Sequence, residues 1–389
     1  MLTDVKENIV HCLKCGACRL DWITCEPICP SGIKYGFDSY YAIGRVSLAR
    51  SVMEGKLELS SDMMKRVYTC TSCGACDVQC NPAVGVGPLG VIEELKYEAI
   101  EKGLIPPEVR DFLKSMNVHG NPYLQPAEER GKWAEGTGIP EYSGQEYLYY
   151  VGCVGSYDDR GKGLAKAVGE LLLKAGVSFG ILGQKELCDG NEVNKVGERG
   201  LFQFFAEQNI ELFRELGVKK IVTLSPHGLN AIKDYKEFGA DFEVIHYTQL
   251  IRDLIESGKI KPTKEIAGKV TYHDPCFLGR HNEEYEAPRS ILKAIPGLEL
   301  VEMERNREHA LCCGGGGGNF FTDLLGSGIN SPSRIRVREA LDTDADILAI
   351  ACPNCHNMLE DASRTEEVSD RLQIKDIAQL VTESAFPEN

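Results

Sequence analysis

Cysteine spacing constrains this chain more than any other feature. Cysteines stand at 12, 15, 18, 25 and 29, at 70, 73, 76 and 80, and at 153, 188, 276, 312, 313, 352 and 355. Sixteen thiols in 389 residues either cross-link a secreted protein or hold metal. The opening stretch "MLTDVKENIV" carries charges where a secretory signal would be apolar. No run of about 18 apolar residues predicts a membrane-spanning helix. A cytoplasmic metal-binding chain is therefore expected. The formal charge of −15 argues against nucleic-acid binding, which needs Lys and Arg against phosphate, and reads otherwise as solubility.

Within residues 1–105 the spacing is Cys12-x2-Cys15-x2-Cys18, then Cys25 and Cys29-Pro30, then Cys70-x2-Cys73-x2-Cys76-x3-Cys80. Three thiolates two residues apart wrap one face of a cube, and the fourth corner needs a ligand from elsewhere. This is the two-cluster ferredoxin pattern, in which the fourth ligand comes from the other run. Cys12, Cys15, Cys18 and Cys80 are expected to hold one [4Fe–4S] cubane, and Cys70, Cys73, Cys76 and Cys29 the other. Two four-cysteine zinc sites are the rival, which the triple runs suit poorly. Cys25 could replace Cys29, but the proline after Cys29 favours Cys29, leaving Cys25 as a buried thiol.

Residues 106–141 turn polar, with Pro and Gly, and read as a surface linker. From about 142, short strand-like runs ("YLYYVG", "KIVTLS", "FEVIHY", "KVTYHD", "LELVEM", "ILAIAC") alternate with amphipathic helical stretches. The region repeats itself. "YVGCVGSYDDR" with Cys153 matches "YHDPCFLGRH" with Cys276, "ELCDG" with Cys188 matches "LCCGG" with Cys312 and Cys313, and "IVTLSPHG" matches "LAIACPNC". The expected architecture is α+β: a helical dicluster region (1–105), a linker, and two repeated α/β units (142–265 and 266–389).

The second unit keeps five cysteines, at 276, 312, 313, 352 and 355. The first keeps Cys153 and Cys188, with Asp189, Ser225 and Gly228 at the other places. Each of the five falls at a predicted strand end, where open α/β sheets bind ligands. Five thiols are one too many for a cubane or a tetrahedral zinc, and adjacent Cys312 and Cys313 suit a less regular cluster. A glycine loop over a zinc site is the plainer reading. Gly314, Gly315, Gly316 and the two glycines after them would let the backbone pass close to an inorganic core and donate amides to its sulfurs.

The pattern Cys276…Cys312-Cys313-Gly314…Cys352-Pro353-Asn354-Cys355, with the ferredoxin runs before it, resembles the CCG-domain heterodisulfide reductases, and their D subunits above all. The resemblance spans nearly the whole chain. It implies that the five cysteines hold a noncubane [4Fe–4S] cluster able to act on disulfides. The first unit departs from the family's full motif, so Cys153 and Cys188 read as remnants in a scaffold half.

His273, Asp274, Arg280 and His281 flank Cys276. They read equally as proton donors or anion binders, and as an Asp274–Arg280 pair that fixes the loop. His227 reads as structural, and Arg334, Arg336 and Arg338 as a solvated helix face. No flavin or nicotinamide motif is visible, so hydride chemistry falls to a partner flavoprotein in a hetero-oligomeric complex. The expected function is an iron–sulfur oxidoreductase subunit that passes electrons between two cubanes and the C-terminal cluster, where a disulfide, persulfide or related thiol substrate is reduced. Two alternatives stand: a pure relay in a flavin- or tungsten-containing complex of the benzoyl-CoA-reductase type, and the iron–sulfur subunit of a flavin-dependent 2-hydroxy acid or glycerol phosphate dehydrogenase.

Overall fold

The computed structural model describes residues 2–387. Its C-terminal two-thirds contains two four-stranded sheets. The first comprises β1 (Tyr147–Tyr150), β2 (Phe179–Gly180), β3 (Lys220–Thr223) and β4 (Glu243–His246), in the order β2-β1-β3-β4. The second comprises β5 (Gly268–Tyr272), β6 (Leu298–Leu300), β7 (Ile347–Ile350) and β8 (Gln373–Asp376), in the order β6-β5-β7-β8. Every pairing is parallel. The order is the same in both once β1 is matched to β5, so the repeat seen in the sequence is a repeat of topology.

The six predicted strand runs are present. The two others carry little signal: β2 is two residues with a glycine, and β8 ("QIKD") is a polar edge strand. β1 and β3 are in register to their last residues, Tyr150 with Thr223, and β5 and β7 pair through Tyr272 with Ala349. The loops after these central strands therefore leave side by side, and the strand order reverses between them. That is the crevice in which a doubly wound sheet places its ligands.

The copies also share details. Ser225 and Cys352 each stand at the N-cap of a helix with proline at its first position, Pro226–Asp234 and Pro353–Thr365. His246 and Asp376 each close a capping box with a glutamine three residues on. The units pack by exchanging helices: Tyr247–Glu256 of the first lies on Glu286–Ala294 of the second, and Asp159–Lys174 of the first on Ile377–Ala385 of the second. Tyr247 donates across this junction to Asp376 Oδ2 at 2.7 Å, and one hydrophobic core runs through both units.

The N-terminal helices Ala42–Met53, Ser61–Tyr68 and Pro88–Glu101 pack on one another around Val46, Met64, Val67 and Leu95. Their core continues into the first α/β unit through Leu148 and Tyr150 of β1 and Phe213 of the helix Arg199–Glu215. The stretch 106–141 differs from a surface linker. Pro107 starts and Gly120 ends a helix, Pro107–His119, that buries Val109, Phe112 and Met116 at helical spacing. Further on, Arg130 and Trp133 are 3% exposed. Among the described residues, no helix is long and apolar enough to cross a membrane.

Candidate metal centres

Left-handed residues shape the two N-terminal sites. Lys14 (φ 56°) and Gly16 (φ 82°) lie between Cys12, Cys15 and Cys18, while Ser72 (φ 49°) and Gly74 (φ 74°) hold the same places between Cys70, Cys73 and Cys76. Each reversal curls the loop so that successive thiols converge. Cys12, Cys15, Cys18 and Cys80 line one small cavity. Cys29, Cys70, Cys73 and Cys76 line a second. These are the two groupings read from the spacing.

The chemistry of both cavities fits an anionic, thiolate-bound cluster. Burial, helped by the neighbouring Cys80, pushes the Cys18 thiol up to about 12, so a bound cation is needed to ionise it. Arg45 lines the second cavity and is 1% exposed. Its Nη2 donates to Ser31 Oγ, the Arg66 carbonyl and Thr69 Oγ1, while its Nε has no partner. Burial raises the Cys29 thiol and the Arg45 charge opposes it. A buried guanidinium with a spare donor beside four thiols is a place for negative charge.

Cys25 corrects one expectation. It is exposed, not buried, and sits at φ 60° in a turn outside both cavities, with its amide donating to the Asp21 carbonyl. Cys29→Ser is expected to cost about four irons per chain, whereas Cys25→Ser keeps them all. Iron analysis of the two anaerobically purified variants checks this.

All five C-terminal cysteines are buried. Cys276 and Cys312 Sγ lie 3.8 Å apart, and Cys313 and Cys355 Sγ 3.4 Å. His273 follows β5, and one of its ring nitrogens lies within 4.8 Å of both Cys313 and Cys355 Sγ. His273 Nδ1 accepts from Arg336 Nε, while Nε2 is buried without a partner, as a donor awaiting a sulfur would be. Burial first, then the Arg336 charge, brings the His273 pKa down to about 3, so the ring is neutral. Cys352 heads the helix Pro353–Thr365. Burial would raise its thiol, but the neighbouring Cys355 and His227 bring it down to about 5.

The flanking charges are engaged differently from either reading of them. Asp274 pairs with Arg289, through contacts of 2.7 and 2.9 Å, and not with Arg280. Arg280 donates instead to the carbonyls of Cys73, Glu308 and Ala310. Arg336 is fully buried and holds the Arg305 carbonyl, Glu339 and His273, so it is no part of a solvated face. Arg334 and Arg338 pair with Glu366.

The glycine run has a further use that the sequence does not reveal. A Cβ on Gly316 would stand 2.5 Å from the Thr71 carbonyl oxygen, and one on Gly317 2.4 Å from that of Cys70. These two glycines let the backbone lie directly on the ferredoxin loop. Gly314 donates its amide to Cys312 Sγ at 3.3 Å, the kind of contact expected of the run. His281 Nε2 meets the Ser72 carbonyl at 2.8 Å. The docking brings Cys73 of the second cavity near enough to Cys312 of the five-cysteine set for each thiol to shift the other's pKa.

His227, read from the sequence as structural, lies where the two units meet. It comes from the first unit but lies near enough to Cys352 of the second to lower that thiol's pKa, and its ring lies 4.3 Å from that of Phe277, beside Cys276. Its Nδ1 is 2.6 Å from Glu192, which also accepts the Gly318 amide. In the repeat alignment His227 matches Asn354, and Asn354 in turn lines the pocket beside Cys153 and Cys188. Each unit thus sends the same position into the other's site.

Comparison with known proteins gives three matched stretches. The 4Fe-4S dicluster domain matches residues 7–84, and the cysteine-rich CCG domain matches residues 147–233 and 270–360. The chain is 32% identical over 397 residues to the D subunit of the dihydromethanophenazine:CoB–CoM heterodisulfide reductase of Methanosarcina barkeri, covering 96% of this chain and 93% of that protein. It is 37% identical over 334 residues to the probable iron-sulfur-binding oxidoreductase FadF of Bacillus subtilis, covering 83% of this chain and 47% of that one. It is 35% identical over 329 residues to the EtfAB:quinone oxidoreductase of Syntrophomonas wolfei, covering 81% and 46%. The chain thus spans about half the length of the last two and nearly all of the first. The dicluster match, the doubled CCG domain and the near full-length likeness to the Methanosarcina protein make this chain a member of the CCG-domain iron–sulfur oxidoreductases, the family that includes the D subunits of heterodisulfide reductases.

Proposed function

We propose that this iron–sulfur electron-transfer subunit carries electrons between two [4Fe–4S] cubanes, held by Cys12, Cys15, Cys18 and Cys80 and by Cys29, Cys70, Cys73 and Cys76, and a noncubane [4Fe–4S] cluster held by Cys276, Cys312, Cys313, Cys352 and Cys355. The C-terminal cluster is where a disulfide, persulfide or related thiol substrate is reduced. The observation that supports this reading is the docking of the glycine run on the ferredoxin loop, where Arg280 donates to the Cys73 carbonyl and Cys73 lies near Cys312. When bound, the clusters supply one-electron storage, and two such transfers match the cleavage of one S–S bond.

The chain's own residues exclude water and supply charge. Arg280, half-buried between the sites, places a guanidinium beside Cys73, Cys276 and Cys312. Phe277, fully buried, is flanked by the rings of His227 and His281 and seals the space next to Cys276. A flavoprotein in a hetero-oligomeric complex is the proposed electron donor or acceptor. Likeness to a heterodisulfide reductase component and to an EtfAB:quinone oxidoreductase supports a complex of this general kind.

The test is EPR of the anaerobic, oxidised protein before and after a panel of thiols and disulfides. A new thiol-dependent signal, absent in Cys313→Ala, supports the reductase reading. Unchanged signals that titrate normally favour a second reading, a pure relay toward a quinone- or flavin-linked partner. The incomplete first motif is the observation that favours it.

His227 carries a separate prediction. A donor to a ligand sulfur stabilises the reduced, more negative state. His227→Phe is therefore expected to lower the midpoint potential of the C-terminal cluster, by about 60 mV for each ~1.4 kcal/mol of differential bonding lost. His227→Gln, which keeps a donor, restores most of it. EPR-monitored redox titration reads both, and the two N-terminal potentials stay unchanged.

A further inference from the structure

The first unit's two remaining cysteines occupy the places of Cys276 and Cys312. The sequence reads them as remnants, yet the structure keeps them together. Cys153 and Cys188 are buried and unbridged, and both line one pocket. With Asp189, Ser225 and Gly228 at the other three motif positions, two thiols are too few for a cluster.

Their surroundings are built for thiol chemistry. Arg130 is buried, and its Nη1 lies 3.5 Å from Cys153 Sγ. Its Nη2 holds Glu186 and the Leu187 carbonyl, and its Nε has no partner. The Gly190 amide donates to Cys188 Sγ at 3.4 Å. A guanidinium against one sulfur of a close pair marks that sulfur as the attacking thiolate and the other as the resolving thiol. The neighbouring Cys188 and the Arg130 charge, working against burial, hold the Cys153 thiol below its ordinary range.

Both cysteines line a small, partly open pocket with apolar walls that include Phe112, Met116, Val193 and Phe321. Its lining also includes His227 and Asn354, the equivalent residues of the two units, which link this pocket to the five-cysteine set.

We propose that Cys153 and Cys188 form a redox-active dithiol–disulfide pair that exchanges with small apolar disulfides in this pocket. The Cys153 thiolate attacks one sulfur of RS–SR, forming a Cys153–SR mixed disulfide and releasing RS⁻. Cys188 then attacks Cys153 Sγ, closing the Cys153–Cys188 disulfide and releasing the second RS⁻. The sum is RS–SR plus the dithiol giving two RSH plus the protein disulfide, with two electrons and two protons passing from pair to substrate. Resetting the pair takes two electrons from the iron–sulfur chain and two protons from solvent. That resetting step alone rests on the function proposed above.

The test uses the full-length, cluster-loaded protein with both thiols first reduced. It is incubated anaerobically with 2,2′-dithiodipyridine, quenched in acid, alkylated and mapped by mass spectrometry. A linked Cys153–Cys188 peptide is expected in the wild type, formed about tenfold faster than exposed Cys25 is modified. In Cys188→Ser, Cys153 is expected to hold the pyridinethiol as a stable mixed disulfide, with iron content unchanged. Arg130→Met should slow the reaction about tenfold. Absence of the linked peptide while Cys25 is modified overturns the proposal. So does mixed-disulfide modification of both thiols without a link, or iron loss in Cys188→Ser, which would make that residue a cluster ligand. Because the readout is thiol chemistry, failure of the C-terminal cluster assignment would leave this result standing.

Discussion

Cys313→Ala is expected to reduce the iron content from about twelve to about eight atoms per chain and to remove the C-terminal cluster's EPR signal, while both ferredoxin signals persist. The loss is large because Cys313 is central to its set. Its Sγ is 3.4 Å from Cys355, it is bonded to Cys312 through the chain, and it shares His273 as a neighbour. Hydrogen bonds from Cys312 and Cys355 hold its thiol well below the ordinary range, which marks it as a strong anionic ligand. Alanine there leaves four of the five thiols proposed to hold the cluster. The ferredoxin sites have their own cavities, one of them lined by Arg45, and neither includes Cys313. Retention of all iron by this variant would remove Cys313 from the ligand set.

Much of this was legible because the signals are local. Three-residue cysteine spacing is a property of one loop, and the strands of the CCG units announce themselves in runs such as "ILAIAC". The duplication could be read because both copies kept their order of strand, cysteine and helix. What escaped depends on contacts between segments far apart in the chain. Asp274 found Arg289 on the following helix, not Arg280 six residues away, because Arg280 is drawn to the Cys73 carbonyl across the interface. Arg336 looked like one of three arginines on a polar face, but helical geometry turns it alone inward, onto His273. His227 looked idle because its own loop has lost its cysteines. Its partner, Cys352, belongs to the other copy, and only the reciprocal placement of Asn354 in the first unit's pocket could have hinted at it.

The glycine run gives the other large effect, because it sets how the two halves meet. Gly317 combines a left-handed backbone (φ 64°) with a would-be Cβ 2.4 Å from the Cys70 carbonyl oxygen and 2.9 Å from the Thr71 carbonyl carbon. An alanine there costs about 1–2 kcal/mol in backbone conformation alone. Its methyl also meets backbone atoms of the cysteine loop, which cannot swing aside as a side chain can. The loop must therefore retreat, taking Cys312 away from Cys73. Gly317→Ala is expected to keep full iron, since no ligand is lost, yet to slow the passage of electrons between the ferredoxin sites and the C-terminal cluster by tenfold or more. Gly315→Ala is the matched control. Its Cβ would come no closer than 3.2 Å, to Met358 Cγ in a flexible side chain, and its φ is not left-handed. Rapid-freeze EPR after a pulse of dithionite follows electron arrival at the C-terminal site in both variants. Equal rates in the two would mean that the glycine contact with the ferredoxin loop does not govern the coupling, and that Cys73 and Cys312 are not the point where electrons cross.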